Sequence, residues 1–478
     1  MLPLANAGTP PVDEIESLPG GITVSRLVDT FRSSDEAVWR EFIDNYWAEA
    51  PSDDIYQRRL GFFKQVHGDL GNEIFIRALE ESTDSLIAVL AEAINPPGPM
   101  NWFSIQLMIE KTPPHRITLA SIRPADDPGF QPPEGDFSDP DVVQFLNDYI
   151  DKLCNENKFS GTVMVTKDGK SVYSYVCGSA CMRYDIPNRL DTKINLGSMN
   201  KMFTGVAICQ LAEKGFLSFD DPIIKHLPDY PLKDVASKVT IRHLLTHTSG
   251  MGDYWDELFD SQFWKIKTVR QIADLIIEEP LEFEPGERFR YSNSGPIILG
   301  LIIEKISGES YYEYIAKHIY ESAGMINSGC FETDTPVKNL AIGYTQYNYD
   351  DEFERDHWYN NYYMHSVKGG PAGGGYSTVE DLTNFASALT EYRLLSKAYT
   401  DTLTTGKVDR GGNFMYAFLF GEQFIDENRV IGHSGGAPGI SANLDIFPDL
   451  GYSAAVLSNY GGNSRKVVEM IQRIILGD

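Results

Sequence analysis

Apolar positions recur at helical spacing between Val24 and about Gly71: Leu27, Val28 and Phe31, then Val38, Trp39, Phe42 and Ile43. Steps of three and four residues put such side chains on one helix face, and two helices are expected here. Over residues 72–124 the pattern changes to short runs rich in β-branched and aromatic residues. Stretches 74–76, 85–89, 102–109 and 116–122 read as four strands. Residues 123–140 are then rich in Pro, Asp and Gly, a linker composition.

A second unit begins near Asp141 with a short helix. Residues 161–166 and 171–176 form a hairpin around Lys167-Asp168-Gly169-Lys170, where Asp-Gly supplies the positive φ angles of a tight turn. A helix is expected from about Ser198 to Lys214, stopped by Gly215. Residues 220–400 read as helices and long loops. Strands return at 414–421, 429–431, 442–447 and 453–457, and a helix closes the chain over 464–476. Strands thus open and close this unit around a helical insert. The simplest architecture is an antiparallel sheet built from both ends, covered by helices, beside a helical subdomain. The expected domains are a flexible lead over 1–20, an N-terminal α+β domain over 21–130, a linker over 131–140 and a larger α+β domain over 141–478. A cleft between the sheet and the helical part is the natural place for a site.

Composition narrows the function. The chain has 478 residues, 42% hydrophobic and 23% charged, with 25 Tyr, 25 Phe and 6 Trp, so two or three folded domains are expected. With 41 basic against 68 acidic residues the formal charge is −27, which disfavours nucleic acid and anionic membrane as partners. No apolar run reaches the ~18–20 residues of a membrane span. The small-x-small stretch Ala5-Asn6-Ala7 after an apolar stub has the pattern of a signal-peptidase site. A signal-peptide remnant and a periplasmic or secreted location are therefore expected, the other reading being a cytoplasmic protein with a loose N-terminus. Five cysteines, at 154, 177, 181, 209 and 330, do not make a disulfide framework. Cys177 and Cys181 could pair, but read better as core-facing positions.

Three short motifs carry candidate chemistry. In Gly197-Ser198-Met199-Asn200-Lys201, Ser198 opens a helix, where free N–H groups favour negative charge. Lys201, three residues on, shares its face. An amine held there can keep a hydroxyl activated, or take its proton directly if its own pKa is lowered. By itself S-x-x-K is common, and taken alone it reads better as a capping serine beside a solvated lysine. In Arg290-Tyr291-Ser292-Asn293, alternation turns Tyr291 and Asn293 to one side. A phenol beside an ammonium can serve as a base, and the Asn293 amide can hold a substrate carbonyl. In Gly432-His433-Ser434-Gly435-Gly436, at the end of an expected strand, the glycines Gly435 and Gly436 admit a substrate close to the backbone, where an N–H can meet an oxyanion.

The order S-x-x-K, Y-x-N about 90 residues later, and a glycine-rich strand motif near the C-terminus resembles the penicillin-recognising serine hydrolases. Stretches 241–250 (Ile-Arg-His-Leu-Leu-Thr-His-Thr-Ser-Gly), 285–293 and 373–377 resemble the class C β-lactamase-like group. The resemblance covers about residues 141–478. It implies a β-lactamase/transpeptidase-like fold, an acyl-enzyme on Ser198, oxyanion donors at the N–H groups of Ser198 and Gly436, and no cofactor. One position departs: β-lactamases of this class carry Lys where this chain has His433, a form similar to D-aminopeptidases and esterases of the superfamily. The expected function is therefore hydrolysis of a small-molecule ester or amide, with a carboxylesterase favoured. D-aminopeptidase, β-lactamase-like amide hydrolase, acyltransferase and non-catalytic penicillin-binding sensor are the alternatives. Tyr291, kept acidic by Lys201, is the expected proton acceptor.

Other patterns carry less. The elbow-like Gly432-x-Ser434-x-Gly436 needs a following helix and a later His, and neither is present in the sequence. His243 and His247 lack the Glu of a zinc motif and read as structural, so no metal is expected. Residues 369–375 lack the Gly-Lys-Ser/Thr of a phosphate loop and read as a loop beside the cleft. Ser377-Thr378-Val379-Glu380 after them reads as a capping box. The first domain carries no catalytic constellation. Its element order looks like the cone-shaped nuclear-transport-factor-like fold, with its aromatic residues in a packed core. It could cover the cleft, select substrates or form a homodimer.

Overall fold

The computed structural model describes residues 15–48, 52–94, 96, 101–125, 130–255, 257–348, 353–354, 357–411, 413–462 and 464–477. The Ala5-Asn6-Ala7 stretch lies outside the described residues. Two compact units divide between Gln131 and Pro132, apart from a short stretch at 353–357 that groups with the first.

The first unit has three long helices where the periodicity suggested two: α1 (Gly21–Phe31), α2 (Glu36–Tyr46) and α3 (Asp53–Leu70). The third hides in a polar stretch, because only Leu60, Phe63, Val66 and Leu70 turn inward. Its start is fixed by Ser52, whose hydroxyl accepts the N–H of Ile55. Four strands follow, β1 (Ile74–Ser82), β2 (Leu86–Ala93), β3 (Trp102–Ile109) and β4 (Ile117–Pro124), paired in sequence order as an antiparallel meander. Phe63 is fully buried, and its ring meets those of Phe31, Trp39, Phe42 and Trp47, so the aromatics fill a core.

The second unit opens with α4 (Pro140–Asn155), capped by Asp139 and longer than the short helix expected. The hairpin strands β5 (Gly161–Lys167) and β6 (Lys170–Cys177) follow, with Asp168 and Gly169 at φ 49° and 73° in the turn. Apart from short two- and three-residue strands between them, the other strands of this sheet come late: β7 (Val408–Asp409), β8 (Phe414–Tyr416), β9 (Gly421–Ile425), β10 (Asn428–Ala437), β11 (Ile440–Phe447) and β12 (Tyr452–Ser458). Together they form an eight-stranded antiparallel sheet in the order β7-β8-β9-β10-β11-β12-β5-β6. The join of β12 to β5, one strand in from the β6 edge, unites the two ends of the unit in register from Tyr452↔Lys167 to Ser458↔Gly161. The last helix, α8 (Ser464–Leu476), buries Val467, Met470, Ile471 and Ile474 along one stripe.

Between β6 and β7 lies the helical part. Its centre is a helix over Asn200–Glu213 (α5), buried on almost every side, with the polar Asn200, Lys201, Thr204 and Gln210 buried alongside its apolar residues. Helices α6 (Ser294–Ser307) and α7 (Val379–Thr390) pack in the same core. The cap of α7 is Thr378, not Ser377: Thr378 Oγ1 accepts the N–H of Asp381. Cys177 pairs with Cys154 of α4 in a disulfide, while Cys181, Cys209 and Cys330 are free. Cys177 and Cys181 are half-buried, so neither pairing with each other nor a place in the core describes them. The partner was hidden because α4 returns over β6 only in three dimensions. Among the described residues no helix is long and apolar enough to cross a membrane.

Each unit has its own apolar core, one drawn from residues 15–117 and the other from residues 164–457. Residues 132–478 expressed alone are therefore expected to unfold in one cooperative transition, followed by circular dichroism on heating. A broad, non-cooperative melt would mean that this unit depends on the first.

Candidate active site

Ser198 lies in a single 3-10 turn, Gly197–Met199, that feeds straight into α5. The turn is held from three directions. Asn195 Oδ1 accepts the Gly197 N–H at 2.9 Å. The Gly374 N–H reaches Gly197 O at 3.1 Å, and the Leu196 N–H reaches Gly375 O at 2.7 Å. Asn200 ties down the same glycine loop, accepting from Gly375 N at 3.2 Å and donating to Gly370 O at 3.3 Å. The run 369–375 is thus a wall wrapped around the serine turn.

The third motif forms the opposite wall. Strand β10 extends through residues 433–437 rather than ending before them. Its neighbour β9 stops opposite Gly432, so beyond that point one edge of β10 has no strand partner. The serine turn lies there. A side chain on Gly435 would strike Leu196 O at 1.9 Å, and one on Gly197, at φ 49°, would meet Gly436 N at 2.9 Å. Only glycine permits this approach, which brings the backbone at 435–436 beside that of Ser198.

Lys201 is fully buried, and its amine has three partners: Ser198 Oγ at 3.2 Å, Asn293 Oδ1 at 2.7 Å and Ala372 O at 2.5 Å. Two of these, an amide oxygen and a carbonyl, can only accept. Only Ser198 can donate. A neutral amine here gives its two protons to Asn293 and Ala372 and turns its lone pair toward the serine hydroxyl. Burial lowers the Lys201 pKa to about 7, against an opposing attraction from Asp253, so the neutral form is accessible.

The Ser198 side chain also acts on Tyr291, favouring its phenolate form. Crowding on its inner side raises the phenol to about 12, opposed by Ser198 and reinforced by Asp253. Its ring is 36% exposed to the cleft, so water softens the shift, but its direction stands. The pair is therefore polarised opposite to the sequence expectation. Burial leaves the lysine amine neutral and able to take a proton near pH 7, and tyrosine is not made acidic by lysine, which lies 4.8 Å from its ring centroid.

Asn293 sits at the entry to α6. Its Oδ1 is taken by Lys201, and its Nδ2 donates to Asp253 Oδ2 at 2.9 Å. Asp253 Oδ2 also accepts the Asn293 N–H at 3.1 Å. One N–H of the amide is left for a substrate carbonyl. Ser292, between Tyr291 and Asn293, turns the other way and donates to Gly252 O at 2.6 Å.

His433 is half-buried, with its pKa lowered to about 4 by burial and by Lys201. A groove of about 600 Å³ runs past it, lined by Tyr291, Arg410, Tyr416, Ser434 and Gly436 among others. Ser434 is exposed on β10 and leads through a turn into β11, not into a helix. His243 and His247 do not share a helix. His243 lies within the helix Ile241–Leu245, where its Nδ1 accepts the N–H of the capping Thr240, and His247 lies beyond it at φ 55°. No group of three or more metal-ligating side chains occurs among the described residues. Asp253, the Ala372 carbonyl and Tyr416 have no signal in the sequence that could have found them, since each acts through a neighbour distant in the chain.

An antiparallel sheet with a helical lobe, and a serine, a buried lysine and a tyrosine meeting at a helix start, define the β-lactamase/transpeptidase-like class. The Beta-lactamase family model matches residues 146–477, and the chain belongs to that family. It is similar to Penicillin-binding protein 4* of Bacillus subtilis (strain 168), 33% identical over 332 residues, which is 66% of this chain and 71% of that protein. Among solved structures it resembles a penicillin-binding protein from Bacillus halodurans, with TM-score 0.62 and 32% identity over 68% of this chain and 99% of that one. It also resembles a D-stereospecific amidohydrolase from Streptomyces sp., with TM-score 0.55 and 25% identity over 65% and 93% of the two chains.

Proposed function

We propose that this serine hydrolase cleaves a small ester or amide through an acyl-enzyme on Ser198, and that its preferred reaction is that of a carboxylesterase. The observation that carries the reading is the Lys201 amine, whose only donating partner is the Ser198 hydroxyl. Ser198 Oγ attacks the substrate carbonyl carbon as its proton passes to the neutral Lys201 amine. The N–H groups of Ser198 and Gly436 stabilise the oxyanion that forms. Tyr291, which acts on the same serine, hands a proton to the leaving group, and water then cleaves the acyl-enzyme in the reverse sense. The amide of Asn293 holds the rest of the acyl group. Hydrolysis of a D-aminoacyl amide is the second reading, favoured by the likeness to the D-stereospecific amidohydrolase.

The ester preference rests on His433. A lysine there would offer a standing positive charge to an anionic acyl donor, and a neutral imidazole does not. A panel of short-chain p-nitrophenyl esters, D-alanyl anilides and nitrocefin tests this. Clear ester turnover with little nitrocefin turnover is expected. His433→Lys should raise selectivity for anionic acyl donors by ~1–2 kcal/mol, the size of a partly exposed charge-assisted hydrogen bond. Nitrocefin turnover equal to ester turnover in the wild type would remove the role given to His433.

The disulfide between Cys154 and Cys177 supports a periplasmic or secreted location, because such bonds persist outside the reducing cytosol. For residues 21–130, the three helices followed by an antiparallel meander support the nuclear-transport-factor-like reading.

A further inference from the structure

Behind the cleft, five groups form one chain of hydrogen bonds. The Ser292 N–H points at His247 Nδ1, 3.3 Å away. His247 Nε2 is 3.0 Å from Tyr416 Oη, and Tyr416 Oη is 3.0 Å from His433 Nε2. His433 Nδ1 lies 2.5 Å from Ser434 O. The two ends of this chain fix every proton in it. A backbone N–H must donate, so His247 Nδ1 is bare and its one proton sits on Nε2. That proton goes to the Tyr416 oxygen, and the single phenol proton therefore goes to His433 Nε2. His433 then carries its proton on Nδ1, where the Ser434 carbonyl can only accept. Both ends demand the same direction.

We infer that Tyr416 is a positioning residue, whose hydroxyl locks His433 as the neutral Nδ1–H imidazole and braces the third motif against the segment that carries Tyr291 and Asn293. His247 and Tyr416 are 1% and 4% exposed, so water cannot replace either partner. The rings add to the brace: His247 lies 4.4 Å from the Tyr291 ring and 4.9 Å from that of Tyr416. Adding a proton anywhere in the chain creates a clash. A charged His433 would point Nε2–H at the phenol and reverse it. The reversal would strip His247 Nε2 and leave a proton on Nδ1 facing the Ser292 N–H. Burial and neighbouring charge act in the same direction: Lys201, when protonated, faces both histidines, Arg410 faces His247, and Tyr291 faces Tyr416. His433 is thus a structural hydrogen-bonding wall with neither nitrogen free for substrate.

The effect on rate rests on the acyl-serine reading, but the tautomers do not, and they can be read without substrate. Long-range ¹H–¹⁵N spectra of the imidazoles in the full chain are assigned with His247→Gln and His433→Gln. They should show His247 protonated on Nε2 and His433 on Nδ1, both neutral from about pH 8 to about pH 5.5. Tyr416→Phe keeps the ring and removes the hydroxyl. It should free His433 to exchange tautomers and to titrate in that range, with kcat on p-nitrophenyl butyrate down ~10-fold and KM little changed, the effect of one lost hydrogen bond. If that variant does not fold, the wild-type spectrum still decides. An Nε2–H or charged His433 at pH 7 in the wild type overturns the proposal. So does a Tyr416→Phe protein that loses rate while its His433 signals stay unchanged.

Discussion

Ser198→Ala is expected to lower turnover of p-nitrophenyl butyrate by at least ~10⁴-fold, because the nucleophile of a covalent mechanism has no substitute in the cleft. A fluorophosphonate should label the wild type once, at Ser198, and leave the variant unlabelled. Folding should survive. Ser198 is half-buried, and without it the Lys201 amine keeps Asn293 and Ala372 as partners. The cost in stability is expected to be about 1 kcal/mol, that of one hydrogen bond, measured by thermal denaturation. Ser434→Ala is the control. That serine is exposed on β10 and should retain most activity. Labelling at Ser434, or full activity without Ser198, would end the acyl-serine reading.

The second large effect is expected at Lys201. Its amine must be neutral to take the serine proton, and burial has brought its pKa to about 7. The sign follows directly. Below that pH the amine is protonated and the rate falls about tenfold per unit, and above it the rate levels off. A plot of kcat/KM against pH should therefore show an acid limb near neutrality. His247 and His433 are not expected to contribute it, since both are held well below their ordinary range. Lys201→Met fills the same space without the amine. It should lose ~10²–10⁴ in kcat, the usual worth of a positioned base, and lose the limb as well. A wild-type profile flat through neutrality, or a limb that persists in Lys201→Met, would show that another group takes the proton.

Much of the architecture is legible in the chain because it is local. The Asp168-Gly169 turn and the amphipathic stripe of α8 each lie within about ten residues, where periodicity and turn chemistry act directly. The helix α3 was missed for a related reason: four inward positions among many polar ones give little signal until the aromatic cluster around Phe63 exists to receive them. The extent of β10 was missed because glycines weaken a strand pattern, although the close approach to the serine turn is what demands them.

For the site, the sequence by itself determined which chemical groups are available. Ser198 and Lys201 share a helix face because they are three residues apart, and Tyr291 and Asn293 share a side because they alternate. Their order along the chain carries the family resemblance. What each group does was decided only by the tertiary structure. An amine becomes a base at neutral pH when its solvation is removed, and the residues that remove it come from α6, the glycine loop and β10, far apart in sequence. The Lys201 partners are Asn293 and the Ala372 carbonyl, one of them a backbone atom that no side-chain pattern encodes. The neutrality of His433 likewise depends on a phenol on β8 and a backbone N–H beside Tyr291. Burial and hydrogen-bond direction are properties of surroundings, and those surroundings exist only once the sheet has closed from both ends of the domain.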